Sequence, residues 1–149
     1  MQAVLPPLKK QIRVALGPDA AFDLFTMGMS RWWPLATHSC FEQEAQRIEI
    51  EPRAGGEVLE HAKDGRRAPW GRVLEWEPPH RFAMTWHPAS DPSNATRLEI
   101  TFTVEAGQTL VTLVHSGWEA RGDAAGDIRG GYDKGWDATL ARYAAAAAA

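Results

Sequence analysis

Cysteine is almost absent from this 149-residue chain, with Cys40 standing alone. A disulfide within the chain is therefore excluded, and a cage of thiolates around a metal lacks its ligands. Long apolar runs are missing too. No stretch approaches the roughly 20 residues that a membrane-spanning helix needs. The first eight residues show neither the basic start nor the apolar run of a secretory signal. Basic runs stop at the pairs Lys9-Lys10 and Arg66-Arg67, which read as solvated strand or turn positions, and the formal net charge is -3. A nucleic-acid surface needs clustered positive charge, so that partner class is set aside. These absences together read as a cytoplasmic protein with no membrane partner, in which the sequon Asn94-Ala95-Thr96 would go unused.

Tryptophan, by contrast, is abundant: seven residues against five Phe and two Tyr. Each indole buries a large surface and carries one N–H that needs an acceptor. So many in a chain sized for one domain, residues 1–149, imply an aromatic core or an aromatic-lined cavity.

The main organising stretch lies near the C-terminus, from about Asp123 to Ala144. Ile128, Tyr132, Trp136, Leu140 and Tyr143 recur at spacings of four, four, four and three, which is one apolar stripe on an α-helix. Arg129, Asp133, Asp137 and Arg142 fall off the stripe, giving a wet opposite face. Gly126, Gly130, Gly131 and Gly135 follow no strand, so they form no phosphate loop. Each weakens the helix by roughly 1 kcal/mol against Ala. Residues 144–149 are all alanine; they extend the helix and then fray.

Upstream, period-two alternation predicts strands. They run over Lys10–Leu16, Ala45–Pro52, Glu57–Lys63, Pro69–Trp76, Arg81–His87, Arg97–Glu105 and Thr109–Ser116. Two short helical pieces, Ala20–Thr26 and Met27–Pro34, fall between the first and second strands, and residues 35–44 read as an irregular loop. Asp64-Gly65 is a hairpin signal, because both residues tolerate positive φ. Short links between the last six strands predict an antiparallel meander. The expected fold class is α+β: a curved antiparallel sheet folded around one long helix.

Element order and local patterns resemble a known family. FDLFTMGMSRWWP (22–34), EPRAGGEV (51–58), WGRVLEWEPPHRFAMTW (70–86), TLVHSGW (112–118) and GYDKGWDATLARY (131–143) are similar to the SRPBCC superfamily, the START-like helix-grip fold. The branch they resemble is the one related to the activator of the Hsp90 ATPase. The resemblance implies a seven-stranded sheet gripping the C-terminal helix, two short helices closing one end, and a cavity between sheet and helix. Under it the glycines of the long helix either let it approach the sheet or leave room for a ligand.

The residues expected at such a cavity are Trp32, Trp33, Val73, Glu75, Trp86, His115, Tyr132 and Trp136. Trp32 and Trp33 either line the pocket mouth or plug the sheet end. Glu75 is in phase with Gly71 and Val73, on the strand face that lines the cavity in the resembling family. A buried carboxylate there would have a raised pKa; the alternative is a pairing with Arg72 or Arg81. His115, in phase with Val111 and Leu113, either moves a proton or is a core histidine satisfied by a hydrogen bond. Trp86 follows Phe82 and Met84; Tyr132 and Trp136 belong to the helix stripe. His38 and Cys40 share a loop, a weak nucleophile signal. The five histidines show no helical i,i+4 pair, so no metal is expected, and no cofactor.

Three functions follow: binding of a small apolar or aromatic molecule, an enzyme of cyclase/aromatase type with Glu75 and His115 as acid and base, or an Hsp90 co-chaperone-like interaction module. A homodimer is compatible with each.

Overall fold

The computed structural model describes residues 5–149, so the start of the chain, with its expected lack of a signal, lies partly outside the described residues. Strand β1 (Leu8–Val14) is followed by helix α1 (Pro18–Phe25) and a 3₁₀ turn at Met29–Arg31. Six strands come next: β2 (Ala45–Ile50), β3 (Glu57–Ala62), β4 (Arg67–Glu77), β5 (Arg81–Trp86), β6 (Thr96–Glu105) and β7 (Gln108–Ser116). A 3₁₀ segment, Trp118–Ala124, then leads into helix α2 (Ala125–Ala147). The fold is the helix grip: one seven-stranded antiparallel sheet in the order β1-β7-β6-β5-β4-β3-β2, with α2 against its concave face.

The meander forms because each link is too short for a crossover. Between β6 and β7, Ala106 and Gly107 have φ of 52° and 79°, the left-handed pair that a tight two-residue hairpin needs. β1 returns to pair with β7, Leu8 opposite His115 through Val14 opposite Thr109. Its inner face carries one polar residue, Lys10. The sequence reads that lysine as solvated, but its Nζ reaches Asp133 at 2.5 Å and Asp137 at 3.0 Å on α2. The ammonium sits between sheet edge and helix, and the paired carboxylates hold its pKa up.

The α2 stripe packs unevenly, and this unevenness creates the site. Toward its C-terminal end Leu140, Tyr143 and Ala147 are buried. Tyr143 donates its hydroxyl to the Ala21 carbonyl at 2.8 Å, tying α2 to α1. Its ring stands 5.0 Å from Phe25 and 5.2 Å from Trp32, within a tilted aromatic cluster that closes this end. The alanine tail is part of the packing, since Ala147 is buried and the helix runs through it before ending. Toward its N-terminal end the stripe holds Ile128 and Tyr132, both only partly covered, with Gly131 and Gly135 beside them.

β4 departs from simple alternation twice. Against β3 the register shifts so that Val58 opposes Gly71 and Leu59 opposes Pro69, which leaves Trp70 and Gly71 both buried. A Cβ on Gly71 would lie 1.8 Å from the Thr85 carbonyl oxygen, so only glycine fits that crossing. Against β5 the register shifts again: Val73 opposes Met84, but Glu75 opposes Ala83. Leu74 is the extra residue, and 43% of it is exposed.

Candidate functional site

A cavity of about 380 Å³ opens between the N-terminal half of α2 and the loops after α1 and β5. Trp33, Trp86, Tyr132 and Trp136 supply its aromatic walls. Ile128, Gly131, Gly135 and Thr139 add the α2 side; Thr37, His38 and Ser39, with Pro88 and Ala89, form the rim. The volume falls within the range of small-molecule sites, and the lining is mostly apolar with a few polar atoms, as such sites are.

The indole rings are fixed by their N–H groups. Trp33 is two residues past the 3₁₀ turn that follows α1, and it donates Nε1–H to the His38 carbonyl at 2.7 Å, folding the 34–38 loop over the mouth. Its ring lies 5.7 Å from Trp86 and 5.8 Å from Trp136. Trp86, last residue of β5, donates to the Tyr132 hydroxyl at 3.1 Å. Trp136 donates to Nδ1 of His115 at 3.0 Å. With Nδ1 accepting, the neutral ring carries its proton on Nε2, which donates to Thr96 Oγ1 at 2.6 Å. Thr96 passes its own hydrogen to the Trp86 carbonyl at 3.2 Å. One buried chain thus runs from Trp136 through His115 and Thr96 to the backbone of Trp86.

His115 is fully buried, under Trp118 at 4.2 Å and Tyr132 at 4.7 Å between ring centroids. Burial alone pulls its pKa down to about 3, so it is neutral at physiological pH. It faces inward as its phase predicts, but both nitrogens are occupied and it stands behind the cavity wall. Of the two alternatives, the core histidine is the one built. Tyr132 keeps its proton as well: burial raises its pKa, against smaller opposing effects of the Trp86 hydrogen bond and the Arg121 charge.

Four of the eight expected residues line the cavity: Trp33, Trp86, Tyr132 and Trp136. The Trp pair divides between its two readings. Trp33 takes the mouth, while Trp32 is buried, donates to the Leu24 carbonyl at 2.9 Å and plugs the sheet end. Val73 is inner-face core. Glu75 is a correction. The extra residue at Leu74 turns its side chain to the outer face, where Arg81 meets it at 2.5 Å and Arg97 at 3.7 Å. Trp76 takes the inward position instead and packs on Phe22 at 5.1 Å. An acid–base pair of Glu75 and His115 is thereby excluded, since one group is outside the sheet and the other sealed beneath the indoles.

Sequence reasoning missed Glu60, buried on β3. Its carboxylate accepts from the backbone N–H of Cys40 at 2.7 Å and Phe41 at 2.8 Å, and from Trp70 Nε1 at 2.9 Å. It anchors the loop that follows the cavity rim. Burial, then the negative charge of Glu60, pushes the Cys40 thiol up. Cys40 is therefore a poor nucleophile, and no cysteine–histidine pair is formed with His38, whose Nδ1 faces Thr37 Oγ1 at 2.7 Å. Among the described residues no group of three or more His, Cys, Asp or Glu side chains could hold a metal ion. None of the described helices is long and apolar enough to cross a membrane.

Comparison with known proteins adds three structural relatives. The anthrahydroquino-γ-pyrone synthase Txn09, solved as a complex, is 32% identical, with 97% of this chain and 98% of that chain covered and a TM-score of 0.64. MLL2253 from Mesorhizobium loti is 18% identical over 92% of this chain and 93% of its own, TM-score 0.69. The Aha1 dimer from Colwellia psychrerythraea is 16% identical over 94% of each chain, TM-score 0.67. The last two show likeness of fold alone. A comparison with functionally curated proteins gave no match. The family model described as "Activator of Hsp90 ATPase homolog 1-like protein" matches residues 16–148, and the chain belongs to that family.

Proposed function

We propose that the chain binds a flat, largely apolar aromatic molecule in the cavity beside α2. The observation that carries this reading is the state of Gly131 and Gly135. An added Cβ at either position meets nothing within 4 Å, although both line the cavity. Alanine would fit at both and would stabilise the helix by about 1 kcal/mol each. Glycine at these two positions leaves the α2 side of the cavity free of side chains, at a cost to helix stability. The surrounding indoles, crossed at 66° for Trp33 and Trp86, offer ring faces and edges to an aromatic guest. Titration of intrinsic Trp fluorescence with anthraquinone-2-sulfonate and with 8-anilinonaphthalene-1-sulfonate tests the reading. Saturable quenching or a spectral shift is the expected result; an unchanged spectrum with both would overturn it.

A second reading is that the cavity also promotes ring closure in its guest. It is favoured by one comparison, the synthase Txn09, which resembles this chain along nearly its full length. The proton-transfer groups on the lining are the Tyr132 phenol and the His38 imidazole at the rim, since Glu75 and His115 are placed elsewhere. Incubation with an open-chain aryl ketone, followed by mass-neutral product analysis, separates a binder from a cyclase. An Hsp90 partnership has the family's description and a likeness of fold to the Aha1 dimer behind it, and no feature of the cavity. A pull-down that retains Hsp90 would revive it, and sedimentation velocity reads whether the chain is a dimer. Placement in the cytoplasm stays a proposal resting on the near-absence of cysteine.

A further inference from the structure

The aromatic wall of the cavity carries one hydroxyl, that of Tyr132. It accepts the Trp86 indole N–H at 3.1 Å, so its oxygen is already engaged. No acceptor among the described residues takes its hydrogen. The phenol therefore has a donor to give, and it sits on a side chain that lines the cavity. An apolar guest that displaces water from this hydroxyl leaves the donor unpaired at a cost, whereas a guest with an acceptor there does not.

Its orientation is also fixed. The Tyr132 ring lies 4.7 Å from His115, 5.8 Å from Trp118 and 6.2 Å from Trp136, nearly parallel to the last. The Trp86 indole N–H holds the oxygen. Burial keeps the phenol protonated across the neutral range, which makes it a donor and not an anion.

We infer that Tyr132 is the specificity-determining group of the cavity, donating its hydroxyl hydrogen to a carbonyl oxygen on the edge of a planar aromatic ligand. The inference rests on the binding reading above and narrows its ligand class to aromatic ketones and quinones. An unsubstituted aromatic of the same outline leaves the phenol hydrogen without a partner and binds more weakly. Trp86 is a positioning residue in this arrangement, because it acts through the tyrosine oxygen.

Two probes of one outline test it on the whole chain: anthraquinone-2-sulfonate and anthracene-2-sulfonate. The wild-type protein should prefer the quinone by about tenfold. Tyr132→Phe should remove that preference while still binding both. Infrared spectra give a readout that packing alone would not move: the bound quinone C=O stretch should shift to lower wavenumber in the wild type and return in Tyr132→Phe. Equal affinity of the wild-type protein for both probes would overturn the inference while leaving the aromatic-binding reading intact. So would a quinone preference or a C=O shift that survives in Tyr132→Phe. Failure of both probes to bind the wild-type protein overturns the inference, and if 8-anilinonaphthalene-1-sulfonate also fails to bind, the binding reading falls with it. The wild-type comparison decides the matter even if the phenylalanine variant fails to fold.

Discussion

Trp136 on α2 donates its indole hydrogen to Nδ1 of His115 on β7, across the interface between helix and sheet, at 3.0 Å. The bond needs a neutral imidazole, because protonation at Nδ1 would set two donors against each other. Burial supplies that neutrality by holding the His115 pKa near 3, below its ordinary value of 6.5. In the unfolded chain the same ring takes a proton as pH falls through 6.5. The unfolded state then binds more protons than the folded one, and stability drops with falling pH. For this single group the slope is about 1.4 kcal/mol per pH unit at most, over the window from 6.5 down toward 3, with no penalty above it. Proton NMR checks the cause directly. The His115 ring resonances should stay constant from pH 8 to pH 5, and a midpoint near 6.5 would refute the sealed-histidine account.

Gly131→Ala and Gly135→Ala are expected to make the protein more stable and a worse binder. Each should raise stability by roughly 0.5–1 kcal/mol, since the helix gains a better former and no neighbour is struck. Each should also weaken binding of a planar probe, because the new methyl enters the cavity. Urea midpoints and fluorescence titrations on the same samples check both halves. A variant that is stabilised and binds as tightly as wild type would mean the glycines serve something other than the cavity.

Glu60→Ala should be among the more damaging single changes outside the hydrophobic core. It strips an acceptor from three N–H groups at once, those of Cys40, Phe41 and Trp70. The expected loss is about 3 kcal/mol, in line with orphaned buried donors. Chemical denaturation reads it, and a loss below about 0.5 kcal/mol would show that the loop does not depend on this carboxylate.

Glu75→Gln should do little by comparison. Its partners Arg81 and Arg97 lie with it on the solvent side of the sheet, and Glu99 remains 3.3 Å from Arg81. Exposed pairs of this kind contribute about 0–1 kcal/mol. Thermal melts should move by no more than a few degrees, and probe affinity should be unchanged. Impaired binding would return Glu75 to the cavity against the register described here.

The architecture was legible because its signals are periodic. The stripe from Ile128 to Tyr143 and the alternation Leu98, Ile100, Phe102 each declare a face over many residues, and one irregular position does not disturb them. The inward phase of Trp86, Tyr132 and Trp136 was legible for the same reason, whereas Trp33 was singled out by the family resemblance with its two readings left open. Glu75 was not, because a single extra residue at Leu74 inverts everything beyond it, and a bulge has no fixed sequence mark. Glu60 was hidden for another reason: β3 alternates cleanly, with Val58, Glu60 and Ala62 inward, but a carboxylate in the middle of that row obscures which face is apolar. His38, Pro88 and Ala89 reach the cavity through loop conformations that no periodicity encodes. That open space, and not the sheet, lies beside Gly131 and Gly135 is likewise written in no sequence pattern.

The central claim is that the opening beside these two glycines is a binding site. A crystal structure of the protein soaked with anthraquinone-2-sulfonate tests it most directly. Difference density for a flat ring system is expected between the α2 backbone at Gly131 and Gly135 and the indoles of Trp33 and Trp86. Density confined to other surfaces, with that space collapsed or holding only water, would contradict it.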